Sequence, residues 1–195
     1  MLSSMLFTEL NGHRIHPLRA EQYDQLADAG AFAEGERVEL LNGLLVVMEP
    51  DVESGEHIWI TQRIMKRLVL ATINAPVAVI CQSSVRMTDY SVPMPDLVVV
   101  PKQVGFARPR GGLLVIEVAR SSMRRDRDVK APIYSVAEVP EYWIVDIDQE
   151  EVVVFTEPRG ESYRKVDIVH RTGVLKPVGL AGVEISVADL FRPED

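Results

Sequence analysis

Glu117 stands inside an apolar run, Leu113-Leu114-Val115-Ile116-Glu117-Val118-Ala119, that reads as a buried strand. An ionised carboxylate there is costly unless a cation, a metal ion or several hydrogen bonds compensate it. A second such run opens on an acid: Pro95-Asp96-Leu97-Val98-Val99-Val100-Pro101. Side chains alternate along a strand, so Val115, Glu117 and Ala119 share a face, as do Asp96, Val98 and Val100. If the strands are neighbours, the two acids converge. Carboxylates that close repel each other unless a divalent cation lies between them. Oxygen ligands favour Mg²⁺ or Mn²⁺, which keep waters and accept phosphate oxygens. Lys130 follows on a segment that reads as helix, within reach of a metal-bound water or of charge developing at phosphorus. The pattern points to metal-dependent hydrolysis.

The bulk properties bound this reading. A chain of 195 residues, 47% hydrophobic, fits a single domain over 1–195 with a sizeable core. No apolar stretch approaches the ~20 residues of a membrane span, and Met1 to Phe7 lacks the basic start and long apolar core of a signal peptide. A lone cysteine, Cys81, excludes an intrachain disulfide or a cysteine-based zinc site and makes a reducing cytoplasm the expected compartment. It reads as a small buried hydrophobe. The net charge of -8 argues against non-specific nucleic-acid affinity over the whole surface. Between Lys102 and Lys130, however, eight basic residues face only three acids, so the basic excess gathers around the candidate site.

Periodicity and turn residues lay out the elements. Residues 19–29 read as a short helix. Arg37 to Leu41 and Leu44 to Met48, joined by Asn42-Gly43, read as a hairpin closed by Pro50. Ser54 is a plausible N-cap for a helix to Asn74, with Ile60, Ile64, Leu68 and Ala71 at helical spacing. Strands are expected over 77–87, 94–100 and 113–119. Ser121 or Ser122 caps a helix to about Ala137, in which Pro132 predicts a kink. Strands follow at 141–147, 151–155, 162–169 and 184–187. The expected architecture is α/β: a mixed sheet with one crossover helix between Ala119 and Glu141, and additional N- and C-terminal β-hairpins.

Several of these stretches together resemble the Uma-two family. They are Met94-Pro95-Asp96-Leu97-Val98-Val99-Val100, Leu114-Val115-Ile116-Glu117-Val118, Arg125-Asp126-Arg127-Asp128-Val129-Lys130 and Val139-Pro140-Glu141-Tyr142-Trp143-Ile144-Val145-Asp146. Val38-Glu39-Leu40-Leu41-Asn42-Gly43 and Glu56-His57 match the family's start, so the resemblance spans roughly 37–155. The family is described as restriction endonucleases of the PD-(D/E)xK nuclease fold. The resemblance implies a restriction-endonuclease-like core of helix, three strands, helix and strand at about 54–147. The N-terminal hairpin at 37–48 and C-terminal strands at 151–187 lie outside that core.

It also implies that Asp96 and Glu117 ligate Mg²⁺ or Mn²⁺ in a DNA endonuclease. In the common motif a lysine follows the second acid by two positions. Ala119 stands there, and the lysine comes instead from the next helix, where Lys130 matches. Glu39 and His57 match family positions, Glu39 as a catalytic group and His57 as a further metal ligand. Arg120, Arg124, Arg125 and Arg127 are the expected contacts to DNA phosphates.

Each residue has a plainer reading. Asp96 suits a turn, and Glu117 suits a structural ion pair. Lys130 suits an exposed helix pair with Asp126, and Glu39 an outward hairpin position. His57 suits a surface position. Trp143 and Tyr142 read as core. The alternatives to an enzyme are a nuclease-fold module that binds nucleic acid or protein without turnover, or a dimerising structural domain. A homodimer is expected because the strands after Glu151 offer edges for pairing across a two-fold axis.

Overall fold

The computed structural model describes residues 9–10, 12–48, 55–102 and 108–191. Ser54 and Pro50, expected as a helix cap and a strand stop, lie outside these residues. A short ladder, β1 (Glu9–Leu10) with β2 (His13–Arg14), precedes helix α1 (Ala20–Asp28). The hairpin β3 (Arg37–Leu41) and β4 (Leu44–Met48) pairs Leu41 with Leu44. Asn42 and Gly43 between them both have positive φ, 50° and 83°, as a turn of this hand requires.

Helix α2 (Gly55–Ala71) then leads to β5 (Val77–Cys81), β6 (Leu97–Pro101) and β7 (Leu114–Ala119). A helical stretch follows: α3 (Met123–Arg125), a π-helical turn (Asp126–Lys130) and α4 (Ala131–Val136). It delivers the chain to β8 (Glu141–Asp146), β9 (Glu151–Arg159) and β10 (Ser162–Val169). A small ladder of β11 (Val174–Leu175) and β12 (Ile185–Ser186) and a last helix, α5 (Ala188–Phe191), complete the described chain.

The central sheet has six strands in the order β10-β9-β8-β7-β6-β5. Only the β7–β8 pair is parallel, because a helix connects those two strands. Helix, three strands, helix, strand is the order expected from the sequence, and the second C-terminal hairpin, β9–β10, widens the same sheet. Two apolar clusters cover its faces. On one, Ile60, Ile64 and Leu68 of α2 pack with Leu114, Ile116, Val118 and Trp143, and with Leu175, Ile185 and Leu190 from the C-terminal segment. On the other, Val98, Val115, Ala119 and Tyr142 pack with Ile133 and Tyr134 of α4 and Leu41 of the hairpin. Trp143 and Tyr142 are both fully buried, which agrees with their core reading.

Three local expectations are corrected. The strand expected over 77–87 ends at Cys81, where Gln82 takes φ 45° and the chain turns away. Cys81 is exposed, because β5 is an end strand of the sheet and Cys81 lies at its tip. The helix after Ser122 is not a plain α-helix kinked at Pro132. It widens one turn earlier, where the Ala131 N–H bonds the carbonyl of Asp126, five residues back. An interior proline lacks an N–H and crowds the preceding turn, and a wide turn just before it relieves both problems.

Candidate active site

The ladder between β6 and β7 pairs Leu97 with Ile116 and Val98 with Val115. Continued by one residue, it sets Asp96 across from Glu117. Both side chains belong to the face that carries Val98, Val115 and Ala119. Asp96 is held at this strand entrance by its own groups. Its carbonyl accepts the Gln82 N–H at 3.0 Å, and its Oδ2 accepts the Val118 N–H at 2.8 Å. His57, on the first turns of α2, reaches the same Oδ2 with Nε2 at 3.3 Å.

Lys130 enters from the π-helical turn and is only 2% exposed. Its ammonium donates to Glu117 Oε1 at 2.9 Å and stands 3.1 Å from Glu39 Oε1. Glu39, 1% exposed, comes from β3, and its Oε1 also accepts the Met94 N–H at 2.6 Å. A fourth group, Tyr134 of α4, donates its hydroxyl to Glu117 Oε1 at 2.8 Å. Glu117 is thus gripped on one oxygen by an ammonium and a phenol, four residues apart on the same helical face. Asp126 lies behind the lysine, 1% exposed, with Oδ2 accepting the Ser122 hydroxyl at 2.5 Å.

The charges are unbalanced. Burial pushes the Glu117 carboxyl up to about 8. Lys130 pulls it down, while Asp126, Asp96 and Glu39 add to the upward push. Burial also raises Asp126, against the pull of Lys130. Burial opposes the charge on Lys130 too, but Glu117, Glu39 and Asp126 outweigh it and hold the ammonium above its ordinary value. One buried ammonium therefore serves three carboxyl groups, with Asp96 close enough to Glu117 to add to their repulsion. Glu39 Oε2 is buried and has no hydrogen-bond partner among the described residues.

This donor set fits a hard divalent cation. It offers carboxylate oxygens in excess of cationic partners, and the only cysteine is exposed at the tip of β5. Among the described residues, no three His, Cys, Asp or Glu side chains form a metal-holding group. The fit is accordingly to an ion held by one or two carboxylates, with water and substrate oxygens completing its shell, as is usual for Mg²⁺. His57 touches Asp96 and does not build a three-ligand cage with the two acids.

A family model described as "Putative restriction endonuclease" (Uma2) matches residues 20–188. The chain belongs to the Uma-two family. Among solved structures, "a putative nuclease belonging to DUF820" from Anabaena variabilis ATCC 29413 has a similar fold, with a TM-score of 0.67. It is 13% identical, and the match covers 90% of this chain and 98% of the other. At that identity the likeness concerns the fold alone. No curated protein matches the chain.

The Uma-two motif stretches carry the groups just described. Glu39 is on β3, His57 on α2, Asp96 at the entrance to β6, Glu117 in β7 and Lys130 on the π-helical turn. The structure brings Asp96 and His57 together, and Glu117, Lys130 and Glu39 together. The plainer readings of Lys130 as an exposed helix lysine and of Glu39 as an outward hairpin residue are both excluded by burial.

The four arginines expected at DNA are engaged by acids. Arg120 pairs with Glu56 and with Asp148, Arg124 and Arg127 with Asp128, and Arg125 approaches Asp126 at 3.8 Å. Sequence reasoning missed Tyr134, Asp126 and Ser122. Tyr134 had a signal, since it follows Lys130 by four residues and so shares its face. Among the described residues no helix is long and apolar enough to cross a membrane.

Proposed function

We propose that this chain is a divalent-metal-dependent endonuclease that hydrolyses DNA phosphodiester bonds, with Mg²⁺ or Mn²⁺ as its cofactor. The observation that carries the reading is the register that opposes Asp96 and Glu117 on one face, with Lys130 bonded to Glu117. Family membership supports the reaction class, as does the description of a solved neighbour of this fold as a nuclease.

In this reading Asp96 and Glu117 hold the ion, which when bound supplies a water of lowered pKa. The chain's own groups prepare that place. Val118 N–H and His57 fix the Asp96 carboxylate. Lys130 and Tyr134 fix the Glu117 carboxylate and leave it one oxygen for a ligand. Lys130, kept charged by Glu117 and Glu39, is positioned to offset negative charge on a phosphate entering beside Glu117. Glu39, 3.1 Å away, helps to keep the lysine in place.

One observation favours a second reading, a nuclease-fold module without turnover. The arginines flanking the site are already paired with acids, which weakens the case for a phosphate-binding strip. The two readings separate in a plasmid-nicking assay with Mn²⁺. The enzyme reading expects cleavage that is lost in Asp96→Asn and Glu117→Gln and suppressed by chelator. Folded wild-type protein that nicks neither single- nor double-stranded DNA under these conditions supports the module. A homodimer belongs to the same proposal.

A further inference from the structure

We infer that β10 is a self-association edge, through which two copies of this chain join their six-stranded sheets around a two-fold axis at Val166. The inference rests on the dimeric part of the proposed function and not on its chemistry.

Among the described residues β10 is an end strand of the sheet, and it is eight residues long. One side of its backbone is paired with β9, from Ser162↔Arg159 to Val169↔Val152. The other side presents a row of ladder groups, a template for another strand. Such edges are normally shortened, covered or interrupted. This one is long and carries exposed apolar side chains, Val166 at 52% and Ile168 at 53%. The edge borders a cleft of about 640 Å³ that Val154, Val169, Val174, Leu175 and Val178 help to line. Val178 there is 75% exposed.

The charges on the strand select the occupant. Lys165 and Asp167 flank Val166 and carry opposite signs. Charged residues on an edge, lysine above all, ordinarily discourage pairing with other strands, so only a register that opposes unlike charges admits one. Here the pattern is self-complementary. In an antiparallel pairing of β10 with its own copy, an axis through Lys165 sets lysine against lysine. An axis through Asp167 sets aspartate against aspartate. An axis through Val166 sets each Lys165 opposite the partner's Asp167 and each Arg164 opposite the partner's Ile168, with the two valines meeting at the centre. Directly opposed unlike charges stabilise an antiparallel pair, and like charges destabilise it. Within one chain Lys165 pairs with Asp167 at 2.9 Å, both side chains exposed, and pairing across the axis exchanges that partner for the same groups of the second copy.

The test is molar mass by light scattering at tens of micromolar protein, with Lys165→Asp, Asp167→Lys and the double exchange K165D/D167K. Thermal melts serve as the folding control. The inference expects a wild-type particle of twice the 21.8 kDa chain mass. Each single variant should have the molar mass of a monomer, because each opposes like charges. The double exchange should restore the dimer, and so should mixing the two single variants. A wild-type monomer overturns the inference. So does a dimer that survives both single exchanges, since its interface then lies elsewhere. Mn²⁺ binding by the monomeric variants distinguishes this from the site: failure of the β10 surface leaves metal binding intact, and failure of the metal site leaves the molar mass unchanged.

Discussion

Lys130 donates to Glu117 across 2.9 Å in a place that water scarcely reaches. A buried ion pair contributes little net stability, but breaking one by removing a partner is costly. Lys130→Met leaves Glu39 and Glu117 without their ammonium, and a loss of about 3–5 kcal/mol is expected. Urea unfolding measures it. The loss should be smaller at pH 5, where Glu117 is protonated, than at pH 9. A variant as stable as wild type would mean that the lysine is not the counter-charge of these acids.

The raised Glu117 carboxyl has a pH signature in metal-free protein. Between the ordinary value of 4.5 and about 8, the folded protein holds a proton that the unfolded chain has released. Folding therefore binds a proton, and this group's contribution makes stability fall as pH rises through that window and level off above it. One proton sets the limiting slope, about 1.4 kcal/mol per pH unit. Glu117→Gln removes the titration. Its stability, measured with chelator present, should lack this decline; the same decline in the variant would assign it to another group.

Tyr134 is one of the site residues that the sequence reading did not single out. Tyr134→Phe deletes one donor to Glu117 and nothing else in the cluster. It should cost about 1.5 kcal/mol. It should also weaken Mn²⁺ binding less than Glu117→Gln does, because the carboxylate itself remains. Parallel melts and titrations of the two variants check the ordering.

Glu141 provides a control away from the site. Its two oxygens accept the Trp143 indole N–H at 2.5 Å and the Val178 N–H at 2.6 Å. Glu141→Ala leaves both donors without this acceptor and should cost about 1–3 kcal/mol. Metal affinity should not change. A variant that unfolds normally but loses Mn²⁺ would tie this carboxylate to the site.

The fold was largely legible because its signals were local and strong. Asn42-Gly43 between apolar runs specified a hairpin, and the residues 113–119 and 141–147 were apolar enough to read as central strands. Alternation along two strands allowed Asp96 and Glu117 to converge on the condition that the strands are neighbours, and the β6–β7 ladder supplies that condition. The surroundings of Lys130 were less legible. Asp126 four residues before it fits an exposed helix pair just as well, and a π-helical turn shifts the phase that a helical pattern assumes. The burial of Glu39 depends on the hairpin packing against the sheet, and the exposure of Cys81 depends on β5 being an end strand. The first is a matter of how a separate two-stranded sheet docks and the second of strand order, and a single sequence encodes neither locally.

In the proposed function Asp96 and Glu117 together hold a divalent cation. Calorimetric titration of Mn²⁺ into wild-type protein, Asp96→Asn and Glu117→Gln tests it without any assumption about substrate. Saturable binding to the wild type, lost in both variants while both remain folded, is the expected result. Binding that persists unchanged in either folded variant would contradict it.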